Sequence, residues 1–421
     1  MLKNHPKGLI VAFFANMGER FGFYTMMAIL VLFLQARYGL SAENSSEIYS
    51  WFYFAIYALA LFGGILADAT SKYKTVILAG IIIMFGGYVF MAVPGMSLTL
   101  TVIALFTIAF GNGLFKGNLQ AVVGQMYDDP KYSKLRDSAF MIFYMGINIG
   151  AVFAPYAATG IRNWWLKTNG FLHDGSLPSL CHQYINNTLT DTSTFQQLAD
   201  KASIAGPVTD LGAFASSYLE VFSKGYNYAF AIAAGAMVIS LIVFVTFKKL
   251  LPNKEKVAKE SAGPKMEFKP WALIGAALAM GLTAFALSFL VNYKDALAYG
   301  LFAGFVVWIL VSAKREEMSR VSALIMVFFV VIFFWMSFHQ NGLTLTWFAR
   351  DYTVKEVGRL TYIFFTLPSL LAVVFSVLGL VLLVKKTSPV RTRLIGGALF
   401  ASALIFGYFW LTRINDMNPI A

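Results

Sequence analysis

Two ionisable residues stand side by side in a stretch that is otherwise apolar. They are Glu19 and Arg20, within Asn16-Met17-Gly18-Glu19-Arg20-Phe21-Gly22-Phe23-Tyr24. A centrally placed lysine or arginine costs about 2.5–3.5 kcal/mol on membrane-insertion scales, so neither residue is expected to face lipid unpaired. A buried ion pair that fixes helix packing is one reading; a charged group lining a polar cavity is the other. Neighbours on a helix point about 100° apart, so the two need not pair and each can address a different partner. A third charge, Lys116, lies in Gly111-Asn112-Gly113-Leu114-Phe115-Lys116-Gly117-Asn118. The glycines permit close helix approach, yet packing alone gives no reason to use lysine. Arg20 and Lys116 together form a candidate positive pole for a carboxylate, one as a rigid bidentate fork and the other as a flexible point charge. Tyr24 is one turn beyond Arg20 on nearly the same face, placed to orient a polar ligand or to pack at an interface.

Three more polar positions interrupt apolar sequence. Asp68 ends Gly63-Gly64-Ile65-Leu66-Ala67-Asp68, close to water, and reads as a structural gating latch between helices rather than a ligand group. Asn148, in Phe143-Tyr144-Met145-Gly146-Ile147-Asn148-Ile149-Gly150, suits either helix adhesion or a bond to a ligand. His339 sits in Trp335-Met336-Ser337-Phe338-His339-Gln340-Asn341-Gly342 and is the one histidine expected deep in a helix. Imidazole changes charge near physiological pH, so proton handling competes with a neutral packing role. Gln340 and Asn341 favour a wet or ligand-lined surrounding over lipid.

The elements that must hold these groups follow from hydrophobicity. Apolar residues make up 58% of 421 positions and charged residues only 13%, against about 25% charge in a soluble domain. The apolar runs are nearly continuous and approach the roughly 20 residues that cross a bilayer. They do not alternate as barrel strands would. The chain is therefore expected to be an all-α polytopic membrane protein with spans at 8–34, 50–67, 75–93, 99–122, 138–160, 226–247, 270–290, 295–312, 321–347, 363–384 and 394–412. The first run is too long for a comfortable cleaved signal peptide.

A net charge of +12 would suggest nucleic acid in a soluble protein. Here the bases cluster in alternate inter-helix segments: Lys72 and Lys74; Lys131, Lys134 and Arg136; the 248–269 linker; Lys314, Arg315 and Arg320; Lys385, Lys386, Arg391 and Arg393. The positive-inside rule makes that side cytoplasmic, with the N-terminus on it, so the expected partner is the bilayer and not nucleic acid. Segment 161–225 falls outside as a small cap or a mobile loop. Its Asn186-Asn187-Thr188, like Asn44-Ser45-Ser46, fits the glycosylation triplet but is too common to weigh. Cys181 is the only cysteine, so no intrachain disulfide forms. There is no His-Glu-x-x-His motif, and Cys181 has no nucleophilic constellation. No catalytic residue, metal site or cofactor is expected, and the chain does not read as an enzyme.

Taken in order, these motifs resemble the proton-dependent oligopeptide transporter family of the major facilitator superfamily. The family's Glu-x-x-Glu-Arg-Phe appears as Asn16-x-x-Glu19-Arg20-Phe21. Its Phe-Tyr-x-x-Ile-Asn-x-Gly is complete at Phe143, Tyr144, Ile147, Asn148 and Gly150, and its Gly-Gly-x-x-Ala-Asp at Gly63–Asp68. Lys116 matches the family's buried lysine. The resemblance implies that Arg20 and Lys116 receive a peptide carboxylate, that Tyr24, Tyr57 and Asn148 line the peptide cavity, and that Glu19 couples to protons. Departures are Asn16 for the first glutamate, Met27 where the family often has arginine, Ser71 for a glycine, and His339 for the glutamate of the seventh core helix. Protonating histidine adds a charge, whereas protonating glutamate removes one.

The implied domains are helices 1–5 in 1–160, the extracytoplasmic segment 161–225, helix 6 at 226–247, a cytoplasmic linker at 248–269, an inserted hairpin at 270–312, the seventh core helix at 321–347, a further hairpin at 363–412, and an extracytoplasmic end at 413–421. That is a major facilitator-type N-terminal six-helix bundle with an incomplete C-terminal bundle, the sequence stopping before the remaining family motifs. The implied activity is proton-coupled import of di- and tripeptides by alternating access across the cell membrane, the bacterial inner membrane, if the rest of that bundle exists in the working protein. Protons are the coupling ion. Transport of another small carboxylate or nitrate-like solute, and a transport-incompetent membrane assembly protein, are the alternatives.

Overall fold

The computed structural model describes residues 4–252, 270–354, 357–385 and 389–412. Most of the expected basic linker and the whole 413–421 end therefore lie outside the described residues. Among the described residues, ten helices are long and apolar enough to cross a membrane, or eleven if one bent pair counts as a single span. The chain divides into two compact units, one drawn from 1–256 and 342–421 and the other from 257–341.

In the first unit the bent pair is α1 (Gly8–Met27) and α2 (Leu30–Tyr38), joined at an angle of 42°. The single helix expected over 8–34 is thus broken at Ala28–Ile29. No proline or glycine marks the place, so nothing in the local sequence announces it. Four long helices follow: α3 (Ala42–Thr70), α4 (Tyr73–Ala92), α5 (Leu98–Gln125) and α6 (Arg136–Thr168). After two short helices, α7 (Leu177–Ile185) and α8 (Thr192–Ala202), α9 runs from Leu211 to Phe247.

Backbone contact is close where glycines meet. A Cβ on Gly63 of α3 would stand 2.2 Å from the Gly113 carbonyl oxygen of α5, while one on Gly64 would meet nothing within 4 Å. Asn118 of α5 donates to the Gly63 carbonyl at 2.9 Å, tying the same crossing. Without a hydrophobic drive between helices in lipid, such close packing and interhelical hydrogen bonds carry the association.

The segment expected as a cap or mobile loop is a folded cap. Helices α6 and α9 extend into it beyond the expected limits of 160 and 226, because their ends remain helical after leaving the apolar stretch. Leu172 N–H bonds Ala202 O at 2.7 Å and Ile204 N–H bonds Gly170 O at 2.9 Å. Phe195, Phe214, Tyr218 and Cys181 form a buried aromatic core. Asp191 caps α8 by accepting from Ser193 and Thr194, bonds that hold its carboxyl down at about 2. Burial pushes the Cys181 thiol up to about 12, which leaves it protonated and unreactive.

Also in this unit are α13 (Thr344–Tyr352), α14 (Arg359–Tyr362) and the hairpin of α15 (Leu367–Val384) with α16 (Val390–Thr412). The second unit holds α10 (Pro270–Leu287), α11 (Tyr293–Ser312) and α12 (Met318–Phe338). The candidate span Arg315–Tyr352 contains the one expected at 321–347, and within it α12 gives way after Phe338 to a 3-10 turn over His339–Gly342 before α13 begins.

Substituting Gly63 with leucine should cost about 1–3 kcal/mol or more from overpacking. This would appear as a fall in the thermal unfolding midpoint in detergent, with Gly64→Ala as an unchanged control. Equal midpoints for Gly63→Leu and wild type would show that the α3–α5 crossing is not tight.

Candidate functional site

Helix α1 is small on the side that meets α9 and α6. A Cβ at Gly22 would lie 3.1 Å from the Ala233 carbonyl oxygen of α9, and one at Gly150 of α6 would lie 2.9 Å from the Met17 carbonyl oxygen. Ser240 donates to the Ala15 carbonyl at 2.6 Å. With those sides filled by backbone, the long polar side chains of α1 turn toward α3, α4 and α5.

There Glu19 and Arg20 are almost fully buried, 0% and 5% exposed. Of the readings left open, the two pair with each other. Arg20 Nε donates to Glu19 Oε2, and Arg20 Nη2 to Glu19 Oε1 at 2.5 Å. The two Cβ directions differ, but both side chains are long enough to fold together once no water is available to solvate them. Glu19 Oε1 also accepts from Asn112 Nδ2 of α5 at 2.7 Å. The guanidinium carbon of Arg20 lies 4.7 Å from the Phe23 ring centroid.

Lys116 belongs to the same neighbourhood. Its ammonium stands 4.9 Å from the Tyr57 ring centroid and within electrostatic range of Arg20 and Glu19. Tyr57 and Tyr24 in turn lie within range of Arg20. Tyr57 stacks on Tyr53 at 6.3 Å, and Tyr53 lies 5.1 Å from Tyr49, which makes a tyrosine ladder along α3. Glu19, Arg20, Tyr24, Tyr57 and Lys116 are thus gathered from three helices.

Asn148 does not join them through any contact among the described residues. Gly146 and Gly150 point α6 at α1, so the intervening Asn148 is turned to the opposite side and is exposed. Asp68 accepts from the Tyr73 hydroxyl across the α3–α4 turn. In that turn Ser71 holds a left-handed φ of 53°, a conformation that favours glycine. His339 lies within the span Arg315–Tyr352, where it opens the 3-10 turn after α12, in the second unit, stacked 5.3 Å from Trp335. The polar residues that broke the apolar pattern there also break the helix.

Sequence reasoning missed two participants. Asn112 was visible only as one amide among glycines, and Tyr88 as one aromatic among many. Both are buried at the Glu19–Arg20 pair, and the Tyr88 hydroxyl and Asn112 Oδ1 have no hydrogen-bond partner among the described residues.

A family profile described as POT family matches residues 73–395, more than half of the chain. The chain belongs to the POT family. This POT chain is 36% identical over 154 residues to dipeptide and tripeptide permease A of Cronobacter turicensis, a stretch covering 36% of the chain and 30% of the permease. It is 40% identical over 159 residues to an uncharacterized transporter of Bacillus subtilis, covering 36% and 31%. The matched stretch thus spans about a third of the length of these curated relatives. Two solved structures share the fold. One is a POT family transporter in complex with a thioalcohol-conjugated peptide, with a TM-score of 0.56 at 18% identity, covering 97% of this chain and 83% of that one. The other is a peptide transporter POT in complex with sulfate, with a TM-score of 0.52 at 21% identity, covering 96% and 81%.

Removing the counter-charge by Glu19→Gln strands the buried guanidinium, which should cost about 3–5 kcal/mol. Asn112→Ala should cost about 1–3 kcal/mol by leaving one carboxylate oxygen short of a donor. Thermal unfolding in detergent ranks the two. A Glu19→Gln midpoint at or above that of Asn112→Ala would show that Arg20 does not rely on the carboxylate.

Proposed function

We propose that this POT chain serves proton-coupled symport of di- and tripeptides into the cell by alternating access, with the basic inter-helix segments and the N-terminus cytoplasmic in the bacterial inner membrane. The observation that carries the reading is the gathering of Arg20 and Lys116 beside a single carboxylate, Glu19. Two cations against one anion leave a positive excess inside a membrane bundle, and a substrate carboxylate balances it. The dipeptides and tripeptides for which the permease relative is named support a peptide as its bearer. Tyr24 and Tyr57 add hydroxyls and aromatic faces near this pole, suited to a peptide backbone and varied side chains. Asn148 would contribute from another face of α6 in a conformation that turns it inward.

The geometry supports a coupling scheme. Glu19 and an incoming carboxylate compete for the fork of Arg20. Protonating Glu19 removes its charge, frees the guanidinium and leaves Arg20 and Lys116 to hold the peptide; releasing that proton restores the internal pair and expels the substrate. The Tyr88 hydroxyl and Asn112 Oδ1 offer polar atoms to a water or substrate group reaching the pair. One charge moving across 100 mV supplies about 2.3 kcal/mol, enough to drive accumulation. Asp68 would hold the α3–α4 turn during reorientation through its bond with Tyr73.

A comparison of dipeptide uptake into proteoliposomes with and without an inward proton gradient tests the reading. Uptake should require the gradient. Arg20→Ala should lower affinity for a dipeptide about tenfold or more while changing that for its C-terminal amide little. Gradient-independent flux would reject symport, and equal losses for acid and amide would reject the carboxylate pole. Nitrate outcompeting dipeptide would favour the other small-anion reading.

His339 is the second proton-handling candidate. The expected result of His339→Gln is a shifted pH optimum of uptake with peptide binding retained; an unshifted profile would remove His339 from the coupling.

A further inference from the structure

A second cation is buried far from the first. Under the cap, between α2, α6, α7, α9 and α13, lies a cavity of about 680 Å³. Its wall includes Arg162 of α6, only 3% exposed. Arg162 Nε and Nη2 both donate to Asn163 Oδ1, at 3.0 and 2.9 Å, and Nη1 donates to the Tyr226 hydroxyl at 3.4 Å. The guanidinium carbon also lies 5.5 Å from the Tyr226 ring centroid. Every one of these partners is neutral, and Arg162 forms no ion pair among the described residues. Burying a guanidinium without a counter-charge costs several kcal/mol. An anion entering the cavity would recover that cost.

The other charged side chains lining the cavity are engaged in part or in full. Arg350 of α13 pairs through its fork with its neighbour Asp351 at 2.7 and 2.9 Å and donates from Nη1 to Gln35 of α2 at 2.9 Å. It nonetheless stands within electrostatic range of the same Tyr226 hydroxyl that Arg162 touches, and so adds to the positive potential there. Asp174 spends one carboxylate oxygen on the Ser176 backbone N–H at 2.8 Å and on its hydroxyl at 2.5 Å. Its other oxygen makes no hydrogen bond among the described residues and remains available to an ammonium group. The cavity is therefore lined by a guanidinium without an ion-pair partner among the described residues and by a half-used carboxylate. Its volume lies within the range of small-molecule sites, about 300–1,000 Å³.

We propose that this cavity is a second recognition site for a short zwitterionic peptide, separate from Arg20 and Lys116, with the peptide carboxylate on Arg162 and its ammonium toward Asp174. The planar fork of arginine matches a carboxylate better than a point charge would. The proposal rests on the peptide reading above for the source of the carboxylate; the cavity and its unpaired guanidinium do not.

The test is binding of dialanine, dialanine amide and inorganic phosphate to the full chain in nanodiscs by titration calorimetry. An Arg20→Ala/Lys116→Ala background removes the first pole. In that background dialanine should still bind, its amide should bind about tenfold or more weakly, and Arg162→Gln should reduce dialanine affinity by a similar factor. Since Arg162→Gln alters a buried site, Ser179→Trp provides an independent variant. It fills the cavity from its exposed rim and should abolish the same binding with an unchanged unfolding midpoint. Loss of all dialanine binding in the double variant, while the wild type binds at a single site, would overturn the second site and leave the proposed function standing. Binding that survives both Arg162→Gln and Ser179→Trp would overturn it as well. Arg162-dependent binding of phosphate without dialanine would overturn the peptide assignment, and failure of the wild type to bind dialanine at all would remove the peptide reading itself.

Discussion

A carboxylate and a guanidinium that share two hydrogen bonds at the centre of a helical bundle constrain everything packed around them. Neither group tolerates lipid, and neither tolerates being left alone in a dry interior. The glycines of α1 bring the backbones of α6 and α9 against two of its sides, which directs Glu19 and Arg20 to the third. There the amide of Asn112 on α5 supplies the next donor to the carboxylate. The crossing of α3 with α5 at Gly63 and Gly113 then sets Tyr57 close enough to Lys116 for its ring to face the ammonium. Small residues and buried charges are thus one arrangement: the first permit the approach that the second require.

The same constraint governs Arg162 under the cap, with a different solution. Its guanidinium is met by an amide and a phenol rather than a carboxylate. Glu19 and Arg20 are paired with one another in place. Arg162 has no such ion-pair partner among the described residues.

The charges of the deep site were legible because ionisable residues are conspicuous in apolar sequence. Their partners were not. Whether Glu19 reaches Arg20 or a neighbouring helix depends on side-chain length and on the absence of water, which adjacency in sequence does not encode. Asn112 and Tyr88 lie on helices far from Glu19 along the chain, and only the α1–α4–α5 packing joins them to it. Asn148 carried a complete motif, yet the glycines flanking it at one-turn intervals face α1 and turn the amide away. At His339 the polar cluster was read as a wet interior of a helix, while the backbone ends α12 there in a 3-10 turn. The break between α1 and α2 was invisible, since Met26-Met27-Ala28-Ile29 contains no residue that disfavours helix.

By itself the sequence determined that the chain is helical and crosses a membrane many times, because twenty-residue apolar runs can satisfy their backbone in lipid only within themselves. It also determined that Glu19, Arg20 and Lys116 must be sheltered, because a charge in lipid is too costly to leave exposed. Tertiary structure alone decided which charges meet, where the first span bends, and that the polar stretch between α6 and α9 folds into a cap over a cavity. Those outcomes depend on distances between helices far apart in the chain, and on which sides of each helix are small enough to be closed by backbone.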